Sequence, residues 1–148
     1  MNALELLRKE LIGSFISRFS ISDTWALYFG HYWLIAQDLI SEDENLLNGW
    51  FQNNYPSFPS TVDKEYISKC AIVAAHMRKL VTGVQLDQSY NLTIDFEGDT
   101  SLIIPTSTPI VDWQWCLNTS GMDPYSDYII ACFWEGEIQI NETQIKDL

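Results

Sequence analysis

The apolar positions of this chain change period several times, and each change marks a predicted element. Ala3 to Leu11 places Leu4, Leu7 and Leu11 at helical spacing before Gly13 supplies a stop, which predicts a short amphipathic helix. From Phe15 the period becomes two. Phe15, Phe19 and Ile21 share one face, and Trp25, Leu27 and Phe29 share one after a turn at Ser22-Asp23-Thr24. Trp33 to Ile35 is expected as a third strand across Gly30-His31. Ser41 to Ser60 reads as a long connection, because Asn48-Gly49, Asn53-Asn54, Pro56 and Pro59 interrupt any regular pattern. Ser60-Thr61-Val62-Asp63 resembles the start of a capping box. Ile67, Cys70, Ala71, Ala74, Met77 and Val81 then follow at spacings of three and four, the clearest helical pattern in the chain.

After Gly83 the alternation returns in Val84 and Leu86, in Leu92, Ile94 and Phe96, and, beyond a turn at Glu97-Gly98-Asp99, in Leu102 and Ile104. Pro105 ends that strand or leaves it at an edge. Val111, Trp113, Trp115 and Leu117 alternate with Asp112 and Gln114, and the expected partner is Tyr128 to Ile140 across a turn containing Gly121 and Asp123-Pro124. Arg8-Lys9, Leu11 and Gly13 recur at the same spacing as Arg78-Lys79, Val81 and Gly83. This suggests an internal duplication of units 3–40 and 65–105, followed by a hairpin over 108–141. The expectation is one α+β domain spanning 1–148, with a twisted, mainly antiparallel β-sheet, one short N-terminal helix and one longer central helix.

Composition supports a folded single domain. With 148 residues and a hydrophobic content of 47%, the chain can bury one core. No apolar run approaches the roughly 20 residues needed to span a bilayer, and the N-terminal segment lacks a signal-peptide core, so a cytoplasmic protein with no membrane partner is expected. Cys70, Cys116 and Cys132 have no C-x-x-C spacing and read as reduced, buried thiols. His31 and His76 lack the partner motifs of a catalytic base, and Gly98, Gly121 and Gly136 are too isolated to form a phosphate loop. Asp95, Glu97 and Asp99 alternate as calcium ligands can, but without an EF-hand pattern they read as an acidic turn. No catalytic residue, metal or cofactor is therefore expected.

Charge changes the picture most. The net charge is -12, and no lysine or arginine occurs between Lys79 and Lys146. Such a surface repels nucleic acid and anionic lipid and attracts a basic partner. The residues expected to bind that partner are Asp95, Glu97, Asp99, Asp112, Asp123, Tyr125, Asp127, Trp134, Glu135 and Glu137. Carboxylates mixed with Trp and Tyr suit arginine and lysine side chains, through charge-assisted hydrogen bonds and cation–π contact. Glu42-Asp43-Glu44, ahead of Trp50, Phe51, Tyr55 and Phe58, repeats the combination on a smaller scale, or these aromatics pack over the sheet edge.

In these acidic strands and loops, its short length and its lack of a catalytic motif, the chain resembles the small acidic immunity proteins of polymorphic and contact-dependent growth inhibition toxin systems. The resemblance is one of general character, and no functional residue transfers by alignment. It implies a cognate basic partner, a toxin domain such as a cationic nuclease, whose active site or required surface the protein blocks. A monomer or weak dimer is expected, because self-repulsion at a net charge of -12 opposes homo-oligomers. The alternative is a small-ligand-binding protein or enzyme with a pocket lined by Trp25, Trp33, Trp50, Trp113, Trp115 and Trp134.

Overall fold

The computed structural model describes residues 1–55 and 64–143, without the side chains of Lys64, Glu65 and Glu135. Helix α1 (Ala3–Leu11) begins at a reciprocal cap in which Asn2 Oδ1 accepts the Glu5 N–H at 2.9 Å and Glu5 Oε2 accepts the Asn2 N–H at 3.0 Å. It buries Leu6, Leu7 and Leu11, while Leu4 is half-buried. Arg8 and Lys9 complement the helix dipole in the last turn, and Arg8 Nε donates to the Val84 carbonyl.

A meander follows: β1 (Arg18–Ile21), β2 (Trp25–Tyr28) and β3 (Trp33–Ala36). A second meander is β4 (Val81–Leu86), β5 (Leu92–Phe96) and β6 (Thr100–Ile104), and a third is β7 (Trp113–Asn118), β8 (Ile130–Phe133) and β9 (Glu137–Ile140). All pairings between these strands are antiparallel, and they form two sheets, β1-β2-β3-β7-β8-β9 and β4-β5-β6. The fold is α+β, as the alternation predicts. β3 and β7 meet with Trp33 opposite Asn118 and Ala36 opposite Trp115. One continuous core joins Leu27, Leu34 and Leu117 of the larger sheet to Ile94, Phe96 and Leu102 of the smaller, with Leu7 of α1.

Several expectations are corrected. Residues 41–60 are not an irregular connection: α2 (Glu44–Asn54) occupies most of the described part. Leu46, Leu47, Trp50 and Phe51 have the i, i+1, i+4, i+5 spacing of a helix, and packing against a neighbouring helix overrides the Asn48-Gly49 break. That neighbour, α3 (Lys64–His76), ends before Met77 and Val81. Among its described side chains the buried ones are Ser68, Lys69, Ile72, Val73 and His76, so the inward stripe is rotated from the expected one and Ala74 is exposed. The proposed start at Ser60–Asp63, like Phe58, lies outside the described residues.

The C-terminal part is a three-stranded meander, not a hairpin. A 3-10 turn (Trp134–Gly136) divides Tyr128 to Ile140, placing Trp134 and Glu135 in a turn between strands. Strict alternation on β7 also fails. A register shift between Trp113 and Trp115 sends Trp113 to a small cluster with Ile35, Cys116 and Ala131, while Trp115 enters the main core. Every residue of β7 is buried, as befits a central strand covered on both faces.

Candidate functional site

Two anchored loops bring part of the expected acidic set to one corner of the larger sheet. The first connects β6 to β7. Thr106 donates its N–H to Asn91 Oδ1 at 2.8 Å and its hydroxyl to the Ser89 carbonyl at 2.7 Å. The Gln114 side chain, 1% exposed, grips Thr108 by both its carbonyl and its N–H, and the Asp112 carbonyl accepts the Trp134 N–H at 2.9 Å. Between these anchors Ile110 is 96% exposed with a φ of 57°. A β-branched residue in the left-handed region is strained, and here nothing local repays the strain by burial.

The second loop runs from β7 to β8. Asn118 is fully buried and organises it: Oδ1 accepts the Gly121 N–H at 3.0 Å, and Nδ2 donates to the carbonyls of Met122 and Asp127. Gly121, with φ 75°, lies so close to Trp33 that a Cβ there would come within 3.1 Å of the indole. The Asp127 carboxylate accepts the Thr119 and Ser120 hydroxyls. Asp123 Oδ1 accepts the Tyr125 N–H at 3.2 Å, and the Tyr125 hydroxyl donates to Asp112 Oδ2. That bond, foremost, raises the Tyr125 pKa, since ionising the phenol would set it against the carboxylate; a small burial contribution and the charges of Asp112 and Asp123 add to it.

Asp112, Asp123 and Tyr125 therefore come together, Trp134 joins them through its backbone while its side chain lines a separate cavity with Ser89 and Tyr90, and Asp127 is turned into its own loop. Tyr125 and Trp134 are 64% and 46% exposed. Glu137 opens β9 just beyond this turn and accepts from Gln139; the side chain of Glu135 lies outside the described structure. Asp95, Glu97 and Asp99 belong to the other sheet. Asp95 accepts from Gln85 and Ser101 and faces Gly83, where a Cβ would meet its Oδ2 at 3.0 Å. Glu97 accepts the Leu80 N–H at 3.0 Å. Asp99 instead joins Glu42 and Asp43 around a cleft of about 430 Å³. Ile110 and the Asp43–Asp99 meeting were missed in sequence. The only local signal for the first was an apolar residue after Pro109 in a polar connection; the second links distant segments.

His76, Cys116 and Cys132 are buried. His76 Nδ1 donates to the Ile72 carbonyl at 2.8 Å, and its ring packs on Phe96. Burial pushes its pKa down, helped by the charge of Lys79, against the opposing effects of the Ile72 carbonyl and Asp43. Burial also raises the thiols of Cys116 and Cys132, the latter to about 11. The tryptophans do not converge: Trp25, Trp50 and Trp134 line three different cavities, and Trp113 and Trp115 are buried.

No protein-family model matches this chain, and no curated protein or solved structure is significantly similar to it.

Proposed function

We propose that this chain is a non-catalytic, acidic protein-binding module whose corner around Asp112 engages a basic protein surface. In its most specific form it is an immunity protein that neutralises a cationic toxin domain, such as a nuclease. The observation that carries this reading is an exposed Tyr125 bonded to Asp112 and Asp123, with a strained, almost fully exposed Ile110 two residues before Asp112, on a chain of net charge -12. Large exposed apolar groups ringed by like charge fit an interface in which aromatics are desolvated and carboxylates steer the encounter. Asp112 and Asp123 would meet the arginine and lysine side chains with which a nuclease holds phosphate.

The test is capture of the product of the neighbouring reading frame on the full chain, followed by calorimetric titration. Tyr125→Ala and Trp134→Ala are expected to weaken the complex by roughly thirtyfold each, the scale of a hot spot worth about 2 kcal/mol. Asp112→Lys should slow association and flatten its salt dependence. Equal affinity in all three variants, or a chain whose melting temperature rises with a small molecule and which retains no basic protein, would overturn the reading.

A further inference from the structure

Among the described residues, helices α2 and α3 leave a second surface uncovered. α2 buries none of its residues completely, and so short a helix is marginal alone. It is attached through Asn48, which accepts the Ser68 hydroxyl, and through Glu44, which accepts from Lys69 at 3.1 Å. Beside this attachment lies a groove of about 600 Å³ whose walls are Leu46, Leu47 and Trp50 of α2 and Ala71, Ile72 and Ala75 of α3. Leu46 is 75% exposed, and Trp50 is nearly half exposed. At one end the groove meets Asp43, which also lines the acidic cleft with Glu42 and Asp99. Asp43 opens α2, yet its carboxylate does not hydrogen-bond the helix's own N–H groups.

We propose that this groove receives an amphipathic helix from a basic protein partner, with apolar side chains between α2 and α3 and a lysine or arginine in the Glu42–Asp43–Asp99 cleft. Leu46 and Trp50 on one wall, and Ala71 and Ala75 on the other, repeat at the four-residue spacing that accepts the ridges of a third helix. The two alanines let its axis approach closely. Charge decides what kind of helix enters. Three carboxylates surround a cleft that no cation lines among the described residues, although Lys79 lies nearby, its Nζ 3.9 Å from where a Gly98 side chain would begin. A second copy of this chain would set carboxylates against carboxylates, whereas a basic helix complements them. This surface is independent of the Asp112 corner, and either can fail without the other.

The experiment is selection of a helix-forming peptide library on the full chain, followed by fluorescence anisotropy of the enriched peptides. Enriched sequences are expected to carry aliphatic or aromatic residues at i and i+3 or i+4, with lysine or arginine about one turn away. Their affinity should fall at least tenfold in Leu46→Asp and in Asp43→Lys, and stay unchanged in Tyr125→Ala. Leu46 and Asp43 are exposed, so these variants keep the fold, which circular dichroism checks. Failure to enrich any helix, indifference to Leu46→Asp and Asp43→Lys, or loss of binding in Tyr125→Ala would overturn the proposal. So would sedimentation showing a homodimer that Leu46→Asp dissolves.

Discussion

Asp38 and Glu44 converge on the Lys69 ammonium beneath α3, at 3.0 and 3.1 Å, while Asp112 and Asp123 stand at the exposed corner beside a tyrosine. The Lys69 side chain is 4% exposed and also donates to the Leu39 carbonyl. Burial works against its charge, but the hydrogen bonds and charges of Asp38 and Glu44 outweigh that and raise its pKa. In the first region, carboxylates neutralise a buried cation and hold α2, α3 and the end of β3 together. In the second, they fix loop geometry and leave their charge facing water. Carboxylates thus neutralise a buried cation or remain solvated according to whether the fold delivers a cation to them.

The largest expected effect tests the buried region. Lys69→Met would leave Asp38 and Glu44 facing each other without their cation, at a cost of about 3 kcal/mol, measured by urea denaturation. A loss below about 1 kcal/mol would remove the distinction between the two regions, because exposed pairs are worth that little. The corner should respond in the opposite sense. Ile110→Gly releases the left-handed strain and is expected to stabilise the fold by about 1 kcal/mol while weakening partner binding. Destabilisation would mean that the loop depends on the isoleucine side chain.

Acid sharpens the contrast from the buried side. The folded-state pKa of His76 lies below its ordinary 6.5, so the unfolded chain binds this proton more readily. The associated stability is present above about pH 6.5 and declines as pH falls toward the lowered folded value. The denaturation midpoint should therefore drop more steeply between pH 7 and 5 in the natural chain than in His76→Gln; parallel profiles would count against a buried neutral imidazole. The smallest effect is spectroscopic. In Asp112→Asn the Tyr125 phenol should titrate closer to its ordinary pKa, with stability unchanged within about 0.5 kcal/mol. An unmoved titration would mean that the Tyr125–Asp112 bond does not form in solution.

Much of the strand layout was legible, because alternation is a property of neighbouring residues. Trp25–Tyr28, Leu92–Phe96 and the turns that bound them lie where the pattern puts them. α2 was obscured by Asn48-Gly49, which breaks an isolated helix but not one braced by another. The face of α3 was misjudged because Ser68, Lys69 and His76 do not look like core positions. Their burial depends on Asn48, Glu44 and the Ile72 carbonyl supplying polar partners. Within the candidate site, Asp112, Asp123, Tyr125 and Trp134 were chosen for chemistry alone. Their meeting depends on the Asp112 carbonyl reaching the Trp134 N–H, a bond no spacing rule anticipates.

The sequence by itself determined the excess of negative charge, the period of most strands and the absence of lysine and arginine between Lys79 and Lys146, since these depend on composition and on contacts between near neighbours. Only the tertiary structure decided that β3 pairs with β7, that Trp113 and Trp115 face different clusters, that Lys69 finds Asp38 and Glu44, and that Asp43 meets Asp99. These outcomes bring together positions far apart in the chain. Many pairings satisfy local preference equally well, and the one adopted is selected by burying a shared core and leaving each buried charge with a partner.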